Sequence, residues 1–95
     1  MIFGRIAGTV VSTLREDGVE GGRYLLVELC SHTGKPKGKY MVALDQHSAG
    51  PGEMVIITQG SSCRQTEQTY QKAIDALIMG IVDLVEEDGR TVYRK

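Results

Sequence analysis

Residues 73–87 read AIDALIMGIVDLVEE, and their conformation decides the fold. Ile74, Leu77, Ile78, Ile81, Val82 and Val85 fit a helical stripe. Read as a strand, one face carries Ile74, Ala76, Ile78, Gly80, Val82 and Leu84, and the other Asp75, Leu77, Met79, Ile81 and Asp83. Periodicity alone leaves both readings open. Gly80 in the middle would cost a helix about 1 kcal/mol, and the flanking segments read as strands. The expectation is therefore a long strand, apolar on both faces. In a small protein something must cover the second face, and a neighbouring subunit is the cheapest cover.

The rest of the chain supports a strand-rich reading. Twelve glycines, two prolines and many β-branched residues suit short strands joined by tight turns. MIFGRIAGTVVST at the start places Ile2, Gly4, Ile6, Gly8 and Val10 on one face, with Arg5, Thr9 and Thr13 on the other. RYLLVELC is a second strand with Leu25, Val27 and Leu29 inward, YMVALD a third and MVIITQG a fourth. LREDGVEGG, SHTGKPKGK and QHSAGPGE read as loops. DGRTVYRK reads as a turn at Asp88–Gly89 and a last short strand. The polar stretch SCRQTEQTYQKA is a short helix or a long loop, near 61–72. These elements predict an all-β protein, a small, mostly antiparallel barrel of five or six strands, of the oligonucleotide/oligosaccharide-binding (OB) type.

Ninety-five residues fit one domain, and a domain of this size is marginal by itself. Eleven Lys plus Arg against twelve Asp plus Glu give a net charge of −1, which offers no bulk attraction to nucleic acid or a membrane surface. Cys30 and Cys63 lack paired-cysteine spacing and read as free thiols. The start has no charged-then-apolar leader pattern, and no apolar run approaches the roughly 20 residues of a membrane-spanning helix. A soluble intracellular protein is expected.

Chemistry is most tempting at QGSSCRQ, residues 59–65, where two serines, Cys63 and Arg64 follow Gly60. A nucleophile needs a base in reach and a group that orients it. The bases on offer, His32 and His47, lie in separate glycine-rich loops, and the hydrolase elbow Gly-x-Ser-x-Gly is broken by Arg64. The competing reading is a strand-ending turn, in which Ser61 and Ser62 satisfy free backbone groups. Cys30, His32, His47 and Cys63 make a thinkable zinc set but lack the spaced pairs of such sites. No phosphate loop is present. Nucleic-acid binding would need aromatics beside cations; Lys35, Lys37 and Lys39 beside Tyr40 also suit a solvated turn. No catalytic residue, metal or cofactor is therefore assigned.

GRIAGTVVST near the start, VALDQHSAGPGEMVIITQGSSCR in the middle and IDALIMGIVDLVE near the end resemble, in the same order, the CcmL/EutN family of bacterial microcompartment vertex proteins. The resemblance covers about 2–85 within a single domain of 1–95, leaving 86–95 as a tail. It implies a five-stranded OB-like barrel that assembles as a cyclic homopentamer and closes the polyhedral shell of a carboxysome or metabolosome. The chain would then be a structural protein rather than an enzyme, in the shell within the bacterial cytoplasm. Its partners would be hexameric and trimeric shell proteins, with neither nucleic acid nor membrane. Ser61, Ser62 and Arg64 carry over as subunit-interface or five-fold-axis residues, Asp45 and Asp75 as matching acidic positions, and Gly50, Gly52 and Gly60 as structural turns. Cys63 stands where the family usually has alanine, a conservative packing change. The alternative is an OB-type module that binds nucleic acid or a small ligand.

Overall fold

The computed structural model describes residues 1–11, 23–59 and 76–95. Among these described residues are seven strands: β1 (Ile2–Thr9), β2 (Arg23–Cys30), β3 (Pro36–Asp45), β4 (Met54–Gln59), β5 (Ala76–Ile81), β6 (Leu84–Glu87) and β7 (Arg90–Arg94). Five close into a barrel in the order β1-β2-β3-β5-β4, and β6 and β7 form a separate two-stranded sheet. Among the described residues the pairings are antiparallel except β3 with β5, which meet in parallel at Leu44↔Leu77.

The stretch 73–87 is strand, as expected for its described part, but not one strand. It breaks at Val82–Asp83 into β5 and β6. Its faces also differ from a simple alternation. Pairing steps from Ile57↔Ile78 to Ile56↔Gly80, so Met79 is an extra, bulged residue. Ala76 and Ile78 point into the barrel before the bulge, and Ile81 packs against that core after it. Gly80 and Val82 thereby move to the outside. β1 carries the same device. Ile6 pairs with Val27 but Gly8 pairs with Leu26, leaving Ala7 extra. Gly8 therefore leaves the inward face that it would share with Ile2, Gly4 and Ile6.

The barrel interior is filled by Ile6, Leu25, Val27, Ala43, Ala49, Val55, Ile57, Ala76 and Ile78. Leu29 points the same way as Leu25 and Val27 but is only half-buried. Close packing makes Gly4 a size-limited position. A Cβ there would fall onto Val27 Cγ1 and lie 3.1 Å from Ile57 Cδ1.

The outside of the barrel also carries apolar side chains. Leu44 and Leu77 bury together beside Tyr24. Cys30, Met54 and Val82 form a further cluster with Phe3, Ile56, Val85 and Tyr93. Val85 and Tyr93 are an opposed pair on the β6–β7 hairpin, so the hairpin lays one face over the outer side of β1 and β4. The chain thus covers part of its own second face, where a neighbouring subunit was expected. The hairpin turns at Asp88 (φ 53°) and Gly89 (φ 78°), both left-handed, the two-residue geometry that matches strand twist.

Gly4→Ala is expected to lower unfolding stability by about 1–3 kcal/mol through overpacking. Urea denaturation read at the midpoint, with an unchanged slope, measures this.

Candidate functional site

Arg5 joins four separate segments on the outside of the barrel. Its Nε and Nη2 donate to the Gly52 carbonyl at 3.1 and 2.9 Å. Its Nη1 donates to the Gly34 carbonyl at 3.5 Å. The guanidinium also lies over the Tyr93 ring, 5.8 Å from the centroid. β1, the β2–β3 turn, the β3–β4 turn and the terminal hairpin are thereby tied to one cation. A planar, forked group suits this use, since two of its donors reach one carbonyl while its face meets an aromatic ring.

A second knot fixes the loop after β3. The Asp45 carboxylate is buried and accepts the backbone N–H groups of His47 and Ala49, each at 2.8 Å. Arg23 Nη2 lies 3.6 Å from Asp45 Oδ2 and donates to the Ala49 carbonyl at 2.6 Å. Asp45 is thus occupied within its own chain. Gly50 donates its N–H to Glu53 Oε1, and Gly52 (φ 82°) donates to the Ile6 carbonyl at 2.8 Å. These two glycines sit in the turn that delivers the chain to β4.

Polar clasps hold both ends of the terminal hairpin. At its turn, His32 Nε2 meets Glu87 Oε1 at 2.8 Å. At its end, Lys95 Nζ lies 2.7 Å from Glu53 Oε2 and 3.8 Å from Asp83 Oδ1. The hydrogen bond from Lys95, then that from the Gly50 N–H, holds the Glu53 carboxyl below its ordinary 4.5. The same pairing with Glu53 raises Lys95 above its ordinary 10.5. A depressed acid contributes stability above its unfolded value and loses it as pH falls through the folded value. A raised base contributes below its unfolded value and loses it as pH rises through the folded one. The clasp is therefore complete between these ranges and opens at either extreme.

An open cleft of ≈ 330 Å³ is lined by Met1, Ile2, Phe3, Leu29, Cys30, Ser31, His32 and Lys37. It holds a thiol, an imidazole and an amine, but not in a nucleophile's arrangement. Cys30 is 3% exposed, and burial raises its thiol against the opposing pull of Arg5 and Lys37. A catalytic thiol needs the reverse. Among the described residues no three His, Cys, Asp or Glu side chains gather closely enough to hold a metal ion.

Of the residues singled out by sequence, Asp45, Gly50 and Gly52 meet near one end of the barrel. Gly60, Ser61, Ser62, Cys63, Arg64, Asp75 and the polar stretch 61–72 lie outside the described residues. Sequence reading missed Arg5, Arg23, Glu53 and Tyr93 as framework residues. Tyr93 had a usable signal, as the aromatic residue of a strand set off by Asp-Gly. On the outer face of β3, Tyr40 and Val42 are 57% and 47% exposed, whereas Leu44 is buried.

Arg5→Lys is expected to cost about 1.5 kcal/mol, because an ammonium keeps the charge but loses the paired donors and the stacking plane; thermal and urea unfolding measure it. On acidification below the ordinary carboxyl range, the Tyr93 ring resonances are expected to shift as the end of the hairpin loosens. Glu53→Gln should remove that acid-dependent shift while leaving the barrel resonances in place.

The family described as ethanolamine utilisation protein EutN/carboxysome matches residues 1–83. The carboxysome shell vertex protein CcmL of Gloeobacter violaceus is 39% identical over 95 residues, covering 100% of this chain and 95% of that protein. The bacterial microcompartment shell vertex protein EutN of Salmonella typhimurium is 37% identical over 90 residues, covering 95% of this chain and 91% of that protein. The solved structure of Gloeobacter violaceus CcmL superposes with a TM-score of 0.91, covering 100% of this chain and 98% of that one. The GrpN pentameric microcompartment shell protein of Rhodospirillum rubrum superposes with a TM-score of 0.80 at 40% identity, covering 92% and 99%. With the family match, the sequence identity and the superposition agreeing over nearly the whole length, the chain belongs to the EutN/CcmL family.

Proposed function

We infer that this chain is a shell vertex protein of a bacterial microcompartment, a ring of five copies that closes the corners of a polyhedral shell in the cytoplasm. The observation that carries the reading is full-length similarity, 39% and 37% identical, to proteins named as shell vertex proteins of carboxysomes and of other microcompartments. A solved relative at 40% identity is named as pentameric.

The work of such a ring is geometric. Six-fold tiles make flat sheets, and a flat sheet cannot close on itself. Five-fold units at the corners supply the missing curvature. A rigid small barrel suits this task, and the Arg5 and Asp45 knots supply rigidity by fixing loops to the barrel wall. The barrel and its terminal hairpin act together as one domain of 1–95. The flanks of the ring bind hexameric and trimeric shell proteins edge to edge. Ser61, Ser62, Arg64 and Asp75, which lie outside the described residues, are assigned to subunit contacts by the family resemblance, whereas the Asp45 carboxylate already accepts two N–H groups of its own chain. The chain has no catalytic role of its own. Supporting this, burial raises the Cys30 thiol, the reverse of what a nucleophile needs, and the His32 imidazole is hydrogen-bonded to a carboxylate at the surface.

Native mass spectrometry in dilute neutral buffer is expected to give the mass of five chains. Co-expression with a hexameric shell protein should give closed particles, and omission of this chain should leave open sheets or tubes. A monomer that is retained on immobilised single-stranded nucleic acid, and released steeply by salt, would reject the vertex reading in favour of a binding module.

A further inference from the structure

We propose that the β6–β7 hairpin is a flap, hinged at Val82–Asp83, which lifts as a unit from a barrel that stays closed, and that its lifting admits reagents to the buried Cys30 thiol. The proposal concerns the single chain and does not rest on the vertex reading above.

Burial and backbone bonding change at the same point. Val82 is buried, but from Asp83 to Lys95 no residue is: Val85, Val92 and Tyr93 are half-buried and the others exposed. The Val82 N–H donates to the Met54 carbonyl at 2.8 Å. Past that bond, among the described residues, the hairpin bonds its backbone to itself, β6 to β7 and the Lys95 N–H to the Asp83 carbonyl at 3.0 Å. Val82 and Asp83 belong to neither flanking strand, which leaves them as the joint.

The barrel closes without the hairpin. Its five strands pair around the circle with no part taken by β6 or β7. Its interior cluster contains nothing from 83–95. Among the described residues, lifting the hairpin breaks side-chain contacts alone. These are the Tyr93 ring under the Arg5 guanidinium, the surface contacts His32–Glu87 and Lys95–Glu53, and the apolar patch of Val85 and Tyr93 on Phe3, Met54 and Ile56. β6 and β7 have each other as ladder partners, so they leave the wall together. A segment with few buried apolar contacts opens at lower free energy than the core, and as a contiguous unit.

Cys30 lies where the motion can be read. It is 3% exposed and shares its buried cluster with Met54 and Val82, against which Val85 and Tyr93 pack. It also lines the open cleft, which is the competing route to its sulfur.

The test uses the Cys63→Ala protein, whose single thiol is Cys30, and dithiobis-nitrobenzoate at fixed pH. The Cys30 thiolate attacks the reagent's disulfide. A mixed disulfide forms, one coloured aryl thiolate leaves, and the thiol proton passes to buffer. Labelling is expected to run on the order of a hundredfold faster than global unfolding allows, with a urea slope well below that of global unfolding. Tyr93→Ala is expected to speed it on the order of tenfold, and Glu53→Gln about twofold. Amide hydrogen exchange on the unsubstituted chain should place the β6 and β7 amides at the opening free energy read from Cys30, with the amides of the β1–β4 ladder better protected. Labelling that carries the full urea slope of global unfolding would overturn the proposal. So would a labelling rate that neither variant changes, which would give access to the cleft. If Tyr93→Ala does not fold, Glu53→Gln and hydrogen exchange decide the same point.

Discussion

Every strand of a closed barrel has an outside, and in this chain much of that outside is apolar. A sheet that packs one face into the barrel and wets the other needs only simple alternation. Here Leu44, Leu77, Met54 and Val82 are buried on the outer side as well. Covering that second surface is the constraint on which the remaining architecture depends. The terminal hairpin exists, as a packed element, because Val85 and Tyr93 have Phe3, Met54 and Ile56 to lie on. A two-stranded hairpin alone is marginal in water, so its order is borrowed from this contact.

The polar framework serves the same end. Arg5 reaches two turns and the Tyr93 ring, so the side chain that fixes the loops also fixes the cover. The clasps His32–Glu87 and Lys95–Glu53 stand at opposite ends of the hairpin. Such surface polar contacts are individually weak. Their value lies in registering the hairpin over an apolar contact that is itself non-directional. Asp45 and Arg23 do the corresponding work at the loop that leads into β4. The result is a barrel whose β2–β3 and β3–β4 loops are fastened to its wall, which suits a unit whose function is to hold an angle.

Much of the fold was legible in the sequence; β3 begins at Pro36, inside a stretch that reads as a loop, because it pairs with β2 up to Cys30↔Pro36, and the remaining exceptions share one cause. The strands β2 and β4 could be read from apolar alternation and bounding turns, and Asp88–Gly89 announced the last hairpin. The face of each residue was less secure. The bulges at Ala7 and Met79 each add one residue on one strand only. Such an insertion shifts every later side chain to the opposite face, but it is a property of two strands in register, and no local pattern carries it. The break at Val82–Asp83 is similar, because Val82 turns outward to a cluster made by Cys30 and Met54. The framework residues were hidden for a related reason. Arg5 bonds to carbonyls 29 and 47 residues away, and a carbonyl is present at every position.

The sequence by itself determined the class of the protein: strand-rich, small, nearly neutral, and carrying three ordered motifs of a shell-vertex family. It could do so because alternation, turn chemistry and motif order are local properties written in successive side chains. Only the tertiary structure decided which side of the barrel each residue serves, that the tail is a cover, and that the bulge at Ala7 turns Gly8 to the outer face. Those facts depend on which backbone lies beside which. That is set by the register of strands far apart in the chain, where a single inserted residue reverses inside and outside.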